Sequence, residues 1–179
     1  MGSEMCIRDR YMAIGYEVEQ VPLQTLCLYN SVANNGKMMK PLFVEEIRQS
    51  GKLVERFSPV VLRDKICSQS TINKVKKCLE GVMKNGTGSD LESVEFNIAG
   101  KTGTAKIMDE SGQFLDREDS EYQASFCGYF PAENPLYSCI VVIYKPKKFI
   151  YGAKVSGTVF ASVANKVYAS NLQFHDAVN

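Results

Sequence analysis

The sequence predicts an α+β fold, an antiparallel sheet flanked by helices, and three observations carry that prediction. Residues 97–107, 123–130 and 136–145 are β-prone and follow one another with no helix between them, so they should pair as an antiparallel meander. Residues 22–34, 68–84 and 154–170 repeat apolar side chains at helical spacing. Strands joined directly and then covered by a helix separate the two element types, which is the α+β pattern.

The chain has 179 residues, 45% apolar and 23% charged, enough for one ordinary core. The formal net charge is +1, so nothing in the overall balance favours nucleic acid or an anionic membrane surface. No apolar run reaches the roughly 18 residues that cross a bilayer. The longest, Tyr137 to Tyr144, is strand-sized, and no secretory signal pattern is present. Residues 1–10 show no periodicity and read as a non-native leader. Residues 173–179 read as a tail, which leaves 11–172 as the domain.

The elements follow in order. Residues 22–34 open on Pro22, suited to a first helical turn because its missing N–H has no partner there anyway. Leu23, Leu26, Cys27, Tyr29, Asn30 and Ala33 then recur at helical spacing, although Val21 is a poor N-cap. Asn34-Asn35-Gly36 ends this helix, with Gly36 free to turn left-handed. Residues 40–48 and 52–57 form a predicted hairpin around Gln49-Ser50-Gly51. Ser68 or Ser70 starts a second helix whose apolar face is Ile72, Val75, Leu79, Val82 and Met83, stopped by Asn85-Gly86-Thr87-Gly88. Residues 108–121 are acidic and read as a solvated loop. Pro131 to Pro135 closes the second sheet strand. In the third strand Ile140-Val141-Val142-Ile143 is apolar on both faces, which predicts a central strand covered on both sides. Val155, Val159, Val163 and Val167 predict the buried stripe of the last helix.

Six cysteines occur with no C-x-x-C pair and a single histidine, His175, so a zinc site is not expected. Cys27, Cys78, Cys127 and Cys139 each fall within an apolar pattern and read as buried thiols. A disulfide stays open should the protein be exported.

The chemistry-bearing segment is Ala99-Gly100-Lys101-Thr102-Gly103-Thr104-Ala105, at the end of the β-prone stretch Val94, Phe96, Ile98. Small residues let another backbone lie against the strand, Lys101 supplies a positive charge, and Thr102 and Thr104 supply hydroxyls. Two other readings compete. One is a solvent-facing strand end with Lys101 as an ordinary surface cation. The other is a phosphate-binding P-loop, but that motif needs glycine where Glu95 stands and a helix directly after Thr102, where Gly103 follows.

Context separates these readings. Ile14-Gly15-Tyr16-Glu17-Val18, Val21-Pro22-Leu23-Gln24, Ser31 to Gly36 and Lys40-Pro41 come first. Gly81-Val82-Met83, Asn85 to Gly88 and the lysine segment follow, and residues 152–160 close the series. In this order the chain resembles the transpeptidase domain of class B penicillin-binding proteins, of the division-specific FtsI type. Lys-Thr-Gly is one of three motifs shared by serine β-lactamases and penicillin-binding proteins. The other two, Ser-x-x-Lys and Ser-x-Asn, are absent; the nearest approach is Thr71-Ile72-Asn73-Lys74, inside a predicted helix. The chain therefore reads as the C-terminal part of the domain, inert by itself.

The resemblance implies a partial penicillin-binding transpeptidase fold, related to serine β-lactamases, and a D,D-transpeptidase that cross-links peptidoglycan by serine acyl transfer. It implies D-Ala-D-Ala stem peptides and β-lactams as ligands, division or elongation membrane proteins as partners, no nucleic acid and no cofactor. The parent would be held at the bacterial inner membrane with this domain on the periplasmic side, its anchor lying outside these residues. Lys101 and Thr104 are the implied catalytic residues, and Lys101, Thr102, Gly103 and Thr104 the implied substrate-binding ones. Lys101 would bond the serine of the Ser-x-Asn element, the two threonine hydroxyls would hold the substrate carboxylate, and the Thr104 N–H would serve the oxyanion hole. A β-lactamase or β-lactam sensor of the same fold, or a non-catalytic cell-wall interaction module, are the alternatives. The family's sheet has two further strands beside residues 136–145, so without them that strand should form an exposed apolar edge.

Overall fold

In the computed structural model, residue 15 and residues 20–91, 95–108 and 120–170 are described. The leader, the tail, residues 16–19 and most of the acidic loop lie outside the described residues. Helix α1, Pro22–Ala33, begins at Val21, whose side chain caps nothing; the Gln24 amide oxygen accepts the Val21 N–H instead, at 3.2 Å. Its last turn closes as expected, with Gly36 at φ +93°. The Lys76 ammonium donates to Ala33 O at 3.2 Å and Asn35 Oδ1 at 2.8 Å, setting a cation at the helix's negative end. Helix α2, Gln69–Asn85, is N-capped by Ser68, whose hydroxyl accepts from the Thr71 N–H at 3.2 Å. It buries Ile72, Leu79 and Met83, as its apolar spacing predicts.

Between the helices lie two small antiparallel sheets. Strands β1, Met38–Met39, and β4, Val61–Arg63, pair with each other. Strands β2, Glu46–Gln49, and β3, Lys52–Arg56, form the predicted hairpin, with Ser50 and Gly51 both at positive φ. The first hairpin strand is shorter than the sequence suggests: residues 40–45 form no regular ladder, although the Lys40 N–H donates to Val60 O and the Phe57 N–H to Glu45 O, both at 2.8 Å. This arm leaves Phe43 80% and Val54 60% exposed.

The main sheet is β5, Ala99–Lys106, then β6, Tyr122–Phe130, then β7, Tyr137–Tyr144, antiparallel in that spatial order. Side chains alternate across it. Ala99 and Tyr129 face α1 and α2, in a core shared with Val32, Ile72, Leu79 and Ala132. Phe126, Phe130, Cys139 and Val141 face the opposite way, packing with Phe160 and Ala164 of helix α3, Thr158–Ser170. Two helices on one face and one on the other make the sheet the middle layer.

Three expectations change. Strand β7 is the sheet's edge among the described residues, half-buried along most of its length rather than central and covered. The valine stripe is not the buried face of α3, since Val159 and Val163 remain 43% and 39% exposed. A π-helical turn, Ala153–Gly157, precedes α3 and advances the helix by an extra residue, so Phe160 and Ala164 turn inward with Val167 and Tyr168 beside them. Of the four cysteines read as buried, Cys127 is, Cys27 and Cys139 are half-buried, and Cys78 is exposed on the outer face of α2. The five described cysteines are free thiols.

Candidate active site

Strand β5 carries the lysine segment and pairs with β6 alone, so among the described residues its other edge is open. Lys101 lies opposite Cys127, Gly103 opposite Ser125 and Thr104 opposite Ala124. Alternation therefore puts Lys101 and Gly103 on the α1 side of the sheet and Thr102 and Thr104 on the α3 side. Four adjacent residues thus serve both faces and the free edge of one strand.

On the α1 side a depression of about 180 Å³ opens between the sheet and the start of the helix. Lys101, Thr102, Gly103, Ser125 and Cys127 line it below, Thr25 and Tyr29 above. Thr104 is not part of this wall. Among the described residues, Lys101 is the single charged side chain lining the depression. Its ammonium curls toward the strand edge, donating to Thr102 O at 2.8 Å and Thr102 Oγ1 at 3.2 Å. The Thr102 hydroxyl also meets Thr87 Oγ1, at 2.9 Å. Gly103 keeps the wall low, because a Cβ there would collide with Ser125 Oγ.

Thr104 is exposed, and its hydroxyl oxygen accepts the Gly152 N–H at 3.0 Å. With that lone pair engaged, its proton is free for an acceptor outside. Gly152 must be glycine to make this contact: a Cβ would lie 2.5 Å from Gly103 O and 2.6 Å from Ser125 O. The segment before α3 thus lies directly against the β5–β6 backbone.

The depression is otherwise chemically quiet. Burial, then the neighbouring Cys139, pushes the Cys127 thiol up to about 12, against a smaller opposite pull from the Gly128 backbone. Burial, then Cys127, raises the Tyr29 hydroxyl. Cys127 is therefore a neutral wall group at physiological pH rather than a nucleophile. Among the described residues lining this wall, none is a histidine or carboxylate that could activate Ser125. The described residues hold no His/Cys/Asp/Glu cluster fit for a metal ion, and none of their helices is long and apolar enough to cross a membrane. What remains is a binding edge: an open strand able to pair with an extended peptide, one cation, and two hydroxyls suited to a carboxylate.

The Lys101–Thr104 segment was legible in the sequence; the two groups that anchor it were not. The Gly86-Thr87-Gly88 run reads as a helix stop, yet it also delivers a hydroxyl to Thr102. Its visible signal is a lone threonine between two glycines. Gly152 carries no signal beyond its type, because its role arises from a contact 48 positions away.

The family described as "Penicillin binding protein transpeptidase domain" matches residues 6–168. Stage V sporulation protein D of Bacillus subtilis is 27% identical over 162 residues, 89% of this chain and 24% of that protein. The peptidoglycan D,D-transpeptidase FtsI of Escherichia coli is 28% identical over 158 residues, 87% of this chain and 24% of that protein. Among solved structures, penicillin binding protein 3 of Mycobacterium tuberculosis, complexed with aztreonam, superposes with a TM-score of 0.70 at 25% identity. The match covers 84% of this chain and 35% of that one. The chain spans about a quarter of the length of these two curated relatives.

Proposed function

The chain belongs to the penicillin-binding protein transpeptidase family, and on that premise we propose that it forms the C-terminal part of the catalytic domain of a serine-type D,D-transpeptidase. Its substrates are peptidoglycan stem peptides ending in D-Ala-D-Ala. The observation that carries this reading is the open edge of β5, where a cation and two hydroxyls are presented beside backbone that no described strand pairs with.

In this reading the stem peptide adds to β5 as an extended strand. Thr102 and Thr104 donate to its terminal carboxylate, and Lys101 supplies the positive potential that draws the anion in. A serine from a Ser-x-x-Lys element elsewhere in the parent attacks the penultimate D-alanine carbonyl. The C–N bond breaks, D-alanine leaves with the proton, and an acyl-enzyme remains. An amine of a neighbouring stem peptide then attacks the ester and releases the serine. The Thr104 backbone N–H is one of two donors for the oxyanion, and removing such a donor slows acylation on the order of 100- to 1000-fold. β-Lactams carry a carboxylate beside a strained amide and enter the same groove.

This residue set contains no Ser-x-x-Lys and no Ser-x-Asn, so in this reading the nucleophile is supplied by the rest of the parent. The parent acts at the outer side of the bacterial inner membrane, with division or elongation proteins as partners. The test is acylation of the intact parent by labelled penicillin, with and without Lys101→Ala. The expected result is a loss of at least about tenfold, the scale of one charge-assisted hydrogen bond. Unchanged acylation would remove Lys101 from the mechanism.

A further inference from the structure

The Thr102 hydroxyl can accept two hydrogen bonds and donate one. The Lys101 ammonium, 3.2 Å away, can only donate, so it takes one lone pair. Thr87 Oγ1 lies 2.9 Å away, within reach of the second lone pair. When Thr87 is the donor of this pair, both acceptor sites are filled and the Thr102 proton is left for a partner outside the strand.

The backbone that presents Thr87 is tightly built. A Cβ at Gly86 would lie 2.8 Å from Val82 O, and one at Gly88 would lie 2.6 Å from Met83 Sδ. The Gly88 N–H donates to Val82 O at 3.0 Å, and the Leu91 N–H to Gly88 O at 2.9 Å. Thr87 itself is exposed, so its side chain is not held there by burial. A helix stop needs one glycine and no hydroxyl. Here a lone threonine stands between two crowded glycines and reaches a strand 15 positions on.

We infer that Thr87 is a positioning residue for ligand carboxylates: it donates to Thr102 Oγ1 and so commits the Thr102 hydroxyl to act as a donor toward an incoming anion. Thr87 does not touch the reacting atoms. Without it, the Thr102 hydroxyl keeps a free lone pair and can rotate, presenting either its proton or that lone pair to the anion. The inference rests on the carboxylate-binding role proposed above for Thr102.

The test uses the intact parent protein and two probes, benzylpenicillin and its methyl ester, which lacks the anion. Thr87→Val removes the hydroxyl at nearly constant shape, and Thr87→Ser keeps it. The expected result is that Thr87→Val slows acylation by benzylpenicillin about fivefold, the worth of one hydrogen bond. The ester's rate should stay within about twofold, and Thr87→Ser should recover most of the loss. A purely structural role for Thr87 would slow both probes alike, and that outcome overturns the inference. An unaffected benzylpenicillin rate, or a Thr87→Ser variant as slow as Thr87→Val, overturns it too. Should Thr87→Val lose its melting transition, Thr87→Ala replaces it in the same comparison. No acylation of the unsubstituted parent would remove the transpeptidase reading itself, and this inference with it.

Discussion

At the residue scale, Thr104 does two jobs with one oxygen. It accepts the Gly152 N–H and leaves its proton for a ligand. Thr104→Val removes both, stranding a part-buried donor. The expected outcome in the intact parent is a loss of about 1 to 3 kcal/mol in stability, read by thermal or urea melting, together with slowed penicillin acylation. Thr104→Ser should recover both, and recovery of neither would mean that the hydroxyl is not what the position supplies. Cys127 gives a second residue-scale prediction. Its thiol titrates at about 12 in the fold, against an ordinary value of 9.0. Between those values the unfolded chain releases the proton and the folded chain keeps it, so stability falls as pH rises across that window. Cys127→Ala should flatten part of that fall in urea titrations at high pH. At pH 8 a thiol reagent should label exposed Cys67 and Cys78 well before Cys127.

At the element scale, two glycines predict opposite signs. Gly81 sits inside α2 with nothing within 4 Å of a would-be Cβ, so Gly81→Ala should stabilise by about 0.5 to 1 kcal/mol. Gly152→Ala meets two backbone oxygens that cannot rotate away and should destabilise by about 1 to 3 kcal/mol. Equal effects in melting experiments on the intact parent would mean that the segment before α3 does not press on the sheet as described. Elements with strong periodicity were legible in the sequence: α1, α2 and the three main strands lie within a few residues of their expected bounds. Strands β1 and β4 were not, because two or three residues carry no period and their pairing spans more than 20 positions. The buried face of α3 was misread for a different reason. A π-turn rotates every following residue, and nothing in the valine spacing announces it. At the site, residue types at fixed spacing in one strand were readable, whereas Thr87 and Gly152 reach it from elsewhere in the chain.

At the scale of the whole molecule, the described sheet stops at β7. This strand presents its free edge with Ile140, Val141, Val142 and Ile143 half-buried. The arm around β2 and β3 adds exposed Phe43, Leu53 and Val54. An unpaired apolar edge beside exposed apolar surface recruits further chains. These 179 residues expressed alone should therefore sediment as higher-order species or fail to melt cooperatively. A monomer with a sharp melting transition, in sedimentation velocity and calorimetry, would contradict this.

The two hydroxyls at the binding edge are braced by separate parts of the polypeptide, Thr102 by the loop after α2 and Thr104 by the turn leading into α3. The two parts are neighbours all the same: a Cβ at Gly157 would collide with Leu91 Cδ1. In the proposed site both hydroxyls hold one carboxylate, so substitutions in the two stretches should couple, the double variant departing from the product of the single effects.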